Sequence, residues 1–314
     1  MICIFNPNTY PYFNTAAEEY IIKNLSDDCL MLWQNSPSVI IGKHQNALAE
    51  IDYDFTEKNK IPVIRRISGG GAVFHDLGNI NFSFITTPIH GRAIHFKTFL
   101  LPIVNFLQSL GLTVQINSKN NLFINEKKIS GTAAHLNKNK TIHHGTLLFK
   151  TSESWLLRSL ENNSGKYSDK GVKSMPSPIT NISDHLAYKM DVSDFMKALK
   201  TYLIYYFKIT DEYLLTEKDI SAIKSLSEKK YKTWEWNFGY FPSYCFNNSV
   251  TVKNETFVIT LNVNKGIIEK CKIKHEGKNQ PYIENVLTGL LHEKKAISSA
   301  LKKISMELLT EGFF

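Results

Sequence analysis

Residues 65–79 read "RRISGGGAVFHDLGN" and place three consecutive glycines between an arginine pair and a His-Asp dipeptide. Glycine loses more conformational freedom on folding than any other residue, so three in succession beside apolar residues need a physical reason. A close approach to the backbone supplies one, and the flanking guanidinium groups imply that the approaching group is anionic. A P-loop is excluded, because no Gly-Lys-Ser/Thr follows at the required spacing. The dinucleotide pattern G-x-G-x-x-G is excluded as well, since Phe74 stands where its third glycine belongs. What remains is a turn with exposed N–H donors next to Arg66, able to hold phosphate or carboxylate oxygens with the guanidinium as a charged clamp. The plainer reading of the same glycines is a tight bend or bulge in a sheet. His75-Asp76 has no nucleophile set against it and reads as structural. Asn79 and Asn81 read as hydrogen-bonding scaffold.

On either side of this stretch the pattern is one of interleaved helices and strands. "FNTAAEEYIIKNL" (13–25) reads as an amphipathic helix with Asn14 as its N-cap. "CLMLWQN" (29–35) and "PSVIIGKHQN" (37–46) read as short buried strands. "FKTFLLPIVNFLQSLGL" (96–112) reads as a helix with Pro102 near its first turn and Gly111 ending it. "NLFINEKKISG" (121–131) reads as a hairpin turning at Asn125-Glu126, with Lys128 and Ser130 on one face of its second strand. "HHGTLLF" (143–149) is a further strand and "SDFMKALKTYLIYYF" (193–207) a further helix.

The irregular interleaving predicts an α+β fold, a mixed β-sheet with packed helices, not a doubly wound parallel sheet. "TWEWNFGYFPSYCFNNS" (233–249) ends in Pro, Asn and Ser and reads as a junction. Beyond it, three alternating strands and two helices form a small α+β unit. The expected domains are therefore 1–246 and 247–314.

The chain has 314 residues, 43% of them hydrophobic, with a formal charge of +8, the profile of a globular protein with an anionic partner. Its four cysteines show no C-x-x-C pairing, which argues against a disulfide framework or zinc ribbon and fits a reducing cytosol. "MICIFNPN" lacks the basic and apolar regions of a signal peptide, and no apolar run approaches the roughly 20 residues that span a bilayer. A cytoplasmic protein without a membrane segment is expected. Nucleic-acid binding is disfavoured, because neither a Lys/Arg stripe nor an RNP-like aromatic motif is present.

A second informative stretch is "KKISGTAAHLNKNKTIHHGTLLF" (127–149). Lys128, on a strand just before Ser130-Gly131, could reach into a cleft as a point charge for a phosphate; alone it could equally be a solvated edge lysine. His143-His144 lack the partner spacing of a zinc site, and H-E-x-x-H is absent, so no metal ligands are assigned.

"VIIGKHQN", "RRISGGGAVFHDLGN", "KKISGTAAH", "HHGTLL", "KGVKSMPSPITNIS" and "WEWNFG", in that order, resemble the bacterial lipoate–protein ligase A family. The resemblance implies a large catalytic domain like that of biotin protein ligases and class II aminoacyl-tRNA synthetases, with a small C-terminal accessory domain. It implies activation of lipoate by ATP, with Mg²⁺ on the phosphates, to lipoyl-AMP. The lipoyl group then passes to a lysine of lipoyl domains in 2-oxoacid dehydrogenase complexes or of the glycine-cleavage H protein. A monomer is expected.

Carried position by position, the resemblance makes Lys128 the catalytic cation. It implies ATP or lipoate contacts at Arg66, Ser68, Gly70, Gly71, Ala72, Val73, Phe74, Asn79, Asn121, Ser130, Gly131 and His144. The sequence departs from the family at Asn121, where an acidic residue is usual, at His135, and at Pro176 and Pro178, where arginines are common. Those losses make a lipoyltransferase that accepts preformed lipoyl-AMP the nearest alternative. A cysteine-dependent amidotransferase is disfavoured, since no cysteine lies near Lys128 or the glycines.

Overall fold

A computed structural model describes residues 1–88, 94–161 and 164–314. The chain forms two units: Met1–Lys43, Ile61–Leu157 and Ser174–Lys232 make the first, and His44–Lys60, Arg158–Lys173 and Thr233–Phe314 the second.

The first unit is built on a six-stranded mixed sheet in the order Thr132–Asn137, Lys140–Leu148, Asn79–Thr86, Cys29–Trp33, Ile2–Phe5, Asp211–Glu212. The last three strands run parallel to one another and the other pairings are antiparallel. The strand Asn79–Thr86 explains the layering. Its Ile80, Phe82 and Phe84 join a core with Phe99, Ile103 and Leu107 of the helix Phe96–Ser109 and Phe195, Leu199 and Leu203 of the helix Val192–Phe207. Phe84 stacks on Phe99 with ring centroids 5.0 Å apart. Each such side chain contributes about 1.5–3 kcal/mol by leaving water. The alternate residues Asn79, Asn81 and Ser83 are just as buried. This sheet therefore has one apolar face and one polar face, both withdrawn from solvent, and the polar face carries the site.

The helix Pro11–Asn24 packs against the strands Asn79–Thr86 and Lys140–Leu148 on one side and the helix Glu217–Leu226 on another. It begins earlier than the sequence suggests. Tyr10 is its N-cap, Pro11 fits the first turn because its missing N–H is not needed there, and Asn14 lies inside. Asn14 is fully buried, its amide bonded to Asn6, Asn8, Gln34 and Asn35 at 2.7–2.9 Å. Packing on two sides also replaces the expected amphipathic face: Glu18 and Glu19 are buried along with Phe13, Ala17 and Ile21. Pro102 likewise sits deeper in its helix, Phe96–Ser109, than the first turn, while Gly111 at φ +84° follows it as expected.

Two three-stranded sheets complete the first unit. One has the order Val63–Arg65, Ser38–Ile41, Val73–His75; the other has Gln115–Ile116, Leu122–Ile124, Lys127–Ser130. The second contains the expected hairpin, with Asn125 and Glu126 both left-handed at φ 47° and 62° as a two-residue turn between right-twisted strands requires.

The second unit has a five-stranded sheet in the order Tyr167–Asp169, Ser243–Val252, Glu255–Asn264, Ile267–His275, Lys278–Asn279. Phe246, Ile259, Leu261 and Ile273 form its core with Leu287, Ile297 and Leu301 of the helices Pro281–Leu287 and Lys294–Lys302. The stretch read as a junction is a short helix, Trp234–Asn237, followed from Ser243 by a strand, paired without interruption from Ser243↔Asn264 to Val252↔Glu255, so positions 246 and 247 lie within that strand. Asn247 and Ser249 are exposed residues of that strand, not turn residues. Among the described residues no helix is long and apolar enough to cross a membrane.

Candidate functional site

The chain leaves the strand Val63–Arg65, turns through Ser68 and the glycines, and returns as the strand Val73–His75, with Ser38–Ile41 paired between the two. The turn is clasped from inside by Arg66. Its Nε donates to Ser68 Oγ at 3.0 Å, one terminal nitrogen to the Ile40 carbonyl at 3.0 Å, and the other to the carbonyls of Gly69 at 2.6 Å and Gly71 at 2.8 Å. Burial pulls its pKa down to about 10, opposed by the charge of Glu18. The sequence suggested a guanidinium held out to an anion. The structure shows one spending its donors on the loop.

The glycines have separable roles. Gly70 is left-handed at φ +91°. A Cβ on Gly42 would stand 2.0 Å from the Gly70 carbonyl oxygen, so the approach of these two backbones demands glycine at 42. Gly71 has no positive φ, and a Cβ there would meet Ser174 Oγ at 3.2 Å. That hydroxyl accepts the Ala72 N–H at 2.9 Å. Val73 is half-buried and Phe74 buried, and their backbones pair with Ile40 and Val39.

Lys128 is treated differently. The strand Lys127–Ser130 is pinned through its backbone: Lys128 N–H donates to the Pro178 carbonyl at 2.8 Å and its carbonyl accepts from Thr180 N–H at 3.1 Å. Its ammonium lies beside Gly131, 3.2 Å from where a Cβ would be, with Asn121 Oδ1 on the same side. Burial first, and then the charge of Arg66, lowers its pKa below the ordinary value. Among the described residues no carboxylate forms an ion pair with it. Two residues along, Ser130 Oγ is buried with no hydrogen-bond partner among the described residues. A half-buried cation without a counter-ion, next to an unused hydroxyl, is an arrangement that an anionic ligand would complete.

The polar sheet face continues the site. His144, buried on the strand Lys140–Leu148, has Nε2 2.6 Å from Ser68 Oγ and Nδ1 2.7 Å from Glu18 Oε1. Ser83 Oγ donates to the same Glu18 oxygen at 2.6 Å and accepts from Trp33 Nε1 at 3.0 Å. His75 is buried with Nδ1 3.1 Å from Asn35 Nδ2, and burial, then the charges of Arg66 and His144, pulls its pKa to about 3. Asp76 accepts from the backbone of Gly78 and Ser152, a structural task.

The geometry thus joins Arg66, Ser68, Gly69, Gly71 and His144 in one bonded assembly, while Gly70 shapes the turn by its left-handed φ and Ala72 bonds to Ser174 instead. It gathers Lys128, Gly131 and Asn121 in a second group, with Ser130 on the same strand. Asn79 is bonded to Asn81 at 2.9 Å and to neither group. Sequence reasoning did not single out Glu18, Ser83, Trp33 or Ser174. The alternation Asn-Ile-Asn-Phe-Ser-Phe at 79–84 marked a polar strand face, but nothing in it said that a helix would cover that face.

Residues 10–204 match the family model described as the lipoyl protein ligase A/B catalytic domain. The lipoate-protein ligase LplJ of Bacillus subtilis is 37% identical over 318 residues, covering 98% of this chain and 95% of its own. Among solved structures, a bi-partite lipoate protein ligase from Thermoplasma acidophilum, studied with its E2 lipoyl domain, aligns with TM-score 0.65 and 28% identity over 76% of this chain and 96% of that one. A lipoate-protein ligase A bound with ATP aligns with TM-score 0.65 and 28% identity over 76% and 98%.

Proposed function

The chain belongs to the lipoyl protein ligase A/B family, and from that premise we propose how its residues join lipoate to protein. The enzyme is an ATP-dependent lipoate–protein ligase. In the first step the lipoate carboxylate attacks the α-phosphorus of ATP, the bond to the β-phosphate oxygen breaks, and pyrophosphate leaves. In the second, the amine of an acceptor lysine attacks the acyl carbon of lipoyl-AMP and AMP leaves.

The obstacle in the first step is electrostatic, because two anions must meet. The observation that carries the proposal is the Lys128 ammonium, held partly out of water and without a counter-ion among the described residues. Such a pre-placed charge stabilises the negative charge on the oxygens of the pentacoordinate phosphorus without reorganisation at the moment of reaction. Ser130 Oγ and the Ala72 N–H, once Ser174 gives it up, add neutral donors. Arg66 contributes its field and the shape of the turn. Mg²⁺ enters as a partner of the nucleotide's phosphates. Among the described residues no group of three His, Cys, Asp or Glu gathers to cage an ion, so no step is assigned to a protein-held metal.

The acceptor is a lipoyl domain, a reading supported by the archaeal ligase studied with its E2 lipoyl domain; the proposal extends it to the glycine-cleavage H protein. It further takes the enzyme as a cytoplasmic monomer, with the activation chemistry in the first unit and the second as the accessory domain. The test is pyrophosphate release from ATP, with and without lipoate, followed by AMP release on adding a lipoyl domain. Lipoate-dependent pyrophosphate release is expected. Transfer from supplied lipoyl-AMP without any pyrophosphate release from ATP would mark a lipoyltransferase instead.

A further inference from the structure

The hydrogen bonds on the polar face of the sheet have a direction that can be worked out from their ends. At one end is the Trp33 indole and at the other the Arg66 guanidinium, and both can only donate. From the first end, Trp33 Nε1 donates to Ser83 Oγ at 3.0 Å, and Ser83 passes its own proton to Glu18 Oε1 at 2.6 Å. From the second, Arg66 Nε donates to Ser68 Oγ at 3.0 Å, which leaves the Ser68 proton for His144 Nε2 at 2.6 Å. His144 Nδ1 faces Glu18 Oε1 at 2.7 Å, and because a carboxylate oxygen only accepts, it is Glu18 that holds the His144 proton on Nδ1. Two runs of donors converge, and only an acceptor-only group can close them. Glu18, buried on the helix Pro11–Asn24, is that group.

We infer that Glu18 is a positioning residue for adenylate formation: through His144 and Ser68 it fixes the Arg66 side chain and so the shape of the glycine turn. The inference rests on the ligase reading for its kinetic consequence and on geometry alone for the hydrogen-bond chain. Without the carboxylate, the His144 proton is free to move to Nε2. It would then point at Ser68 Oγ, which already receives the Arg66 Nε–H. The hydroxyl has a lone pair for each donor, but its own proton would then be buried without an acceptor, and relieving that shifts Arg66, which also holds the carbonyls of Ile40, Gly69 and Gly71, together with its turn. Glu18 does not touch the reacting atoms in this account. It acts through the groups between.

Four experiments test this. In the wild-type protein, the ¹⁵N shifts of His144 should report a neutral ring with its proton on Nδ1 at neutral pH; a proton on Nε2, or on both nitrogens, overturns the inference, whatever any variant does. In Glu18→Ala the proton should move to Nε2, and kcat for lipoate-dependent pyrophosphate release should fall by about a hundredfold with KM for ATP unchanged, the scale expected when a reactive geometry is displaced. Glu18→Gln, which keeps an acceptor oxygen, should recover kcat to within about fivefold of wild type. Ser68→Ala combined with Glu18→Ala should lose no more than the worse single variant, as residues acting as a unit do. Wild-type kcat per folded molecule in Glu18→Ala, or losses that multiply in the double variant, overturns the inference. Should Glu18→Ala not fold, the tautomer in wild type and in Glu18→Gln still decides. Should the wild-type protein release no pyrophosphate, the ligase reading fails while the tautomer is still measurable.

Discussion

Arg66 and Lys128 are both basic side chains withdrawn from water within electrostatic reach of each other, yet the fold uses them in opposite ways. Arg66 makes four hydrogen bonds to its own chain and is part of the loop's framework. Lys128 is anchored only through its backbone, and its charge has no ion-pair partner among the described residues. The difference separates what shapes a site from what acts in it. Loss of the first kind of residue should show in stability, and loss of the second in rate.

The largest effect is expected on the framework side. Arg66→Ala leaves the carbonyls of Ile40, Gly69 and Gly71 without this donor, at about 1–3 kcal/mol for each that stays unsatisfied. A loss of about 3 kcal/mol or more in urea unfolding is expected; a variant of near wild-type stability would erase the contrast.

Acid acts on the same side. Burial holds His75 at about 3 and His143 at about 4, so both stay neutral in the fold while an unfolded histidine protonates near its ordinary value of about 6.5. Their pKa values are depressed on folding, so their contribution is full above about pH 6.5 and is lost as pH falls toward 4, by up to about 1.4 kcal/mol per pH unit for each group. Stability measured from pH 7 to pH 4.5 should decline through that window; a flat profile would contradict the burial of these rings.

Gly71→Val probes the boundary between the two sides. The backbone there needs no left-handed φ, and the new Cβ meets a hydroxyl that can move, so stability should fall by about 1 kcal/mol. Lipoate-dependent activity should fall by about tenfold, because the valine crowds the Ala72 N–H. Unfolding with normal activity in the folded remainder would make the turn purely structural.

The smallest effect concerns docking. Lys270, Lys272 and Lys274 alternate along the strand Ile267–His275, all exposed and none in an ion pair among the described residues. If an acidic acceptor is steered by such charge, single-turnover transfer from lipoyl-AMP should slow about threefold once the Debye length drops below about 8 Å. A rate indifferent to salt would leave docking to shape alone.

The parts of this molecule that a sequence shows well are those set by local rules. The hairpin at Asn125-Glu126 and the stop at Gly111 follow from turn chemistry and stand as read, while the buried strands read at 29–35 and 37–46 form over the shorter spans 29–33 and 38–41. What escaped depends on a second layer. Asn14 has the chemistry of a cap but is bonded from two chain segments, Asn6 and Asn8 in one and Gln34 and Asn35 in the other. Glu18 and Glu19 look like a solvated helix face until Ser83 and His144 of the sheet bond the first and Lys230 and Tyr231 the second. Asn247 and Ser249 carry the composition of a turn, yet strand pairing with Thr260 and Val258 outweighs that propensity. Arg66 escaped for a related reason: its motif locates the charge, while only the fold shows where the donors go.

The central claim is that Lys128 is a charge placed for substrate and not for stability. Its most direct test is Lys128→Ala, with thermal unfolding and lipoate-dependent pyrophosphate release measured on the same preparation. The account predicts an unfolding midpoint within a few degrees of wild type and a rate lower by about a hundredfold or more, the loss expected for one electrostatic contact to a transition state. Wild-type pyrophosphate release from a stable Lys128→Ala protein would contradict it.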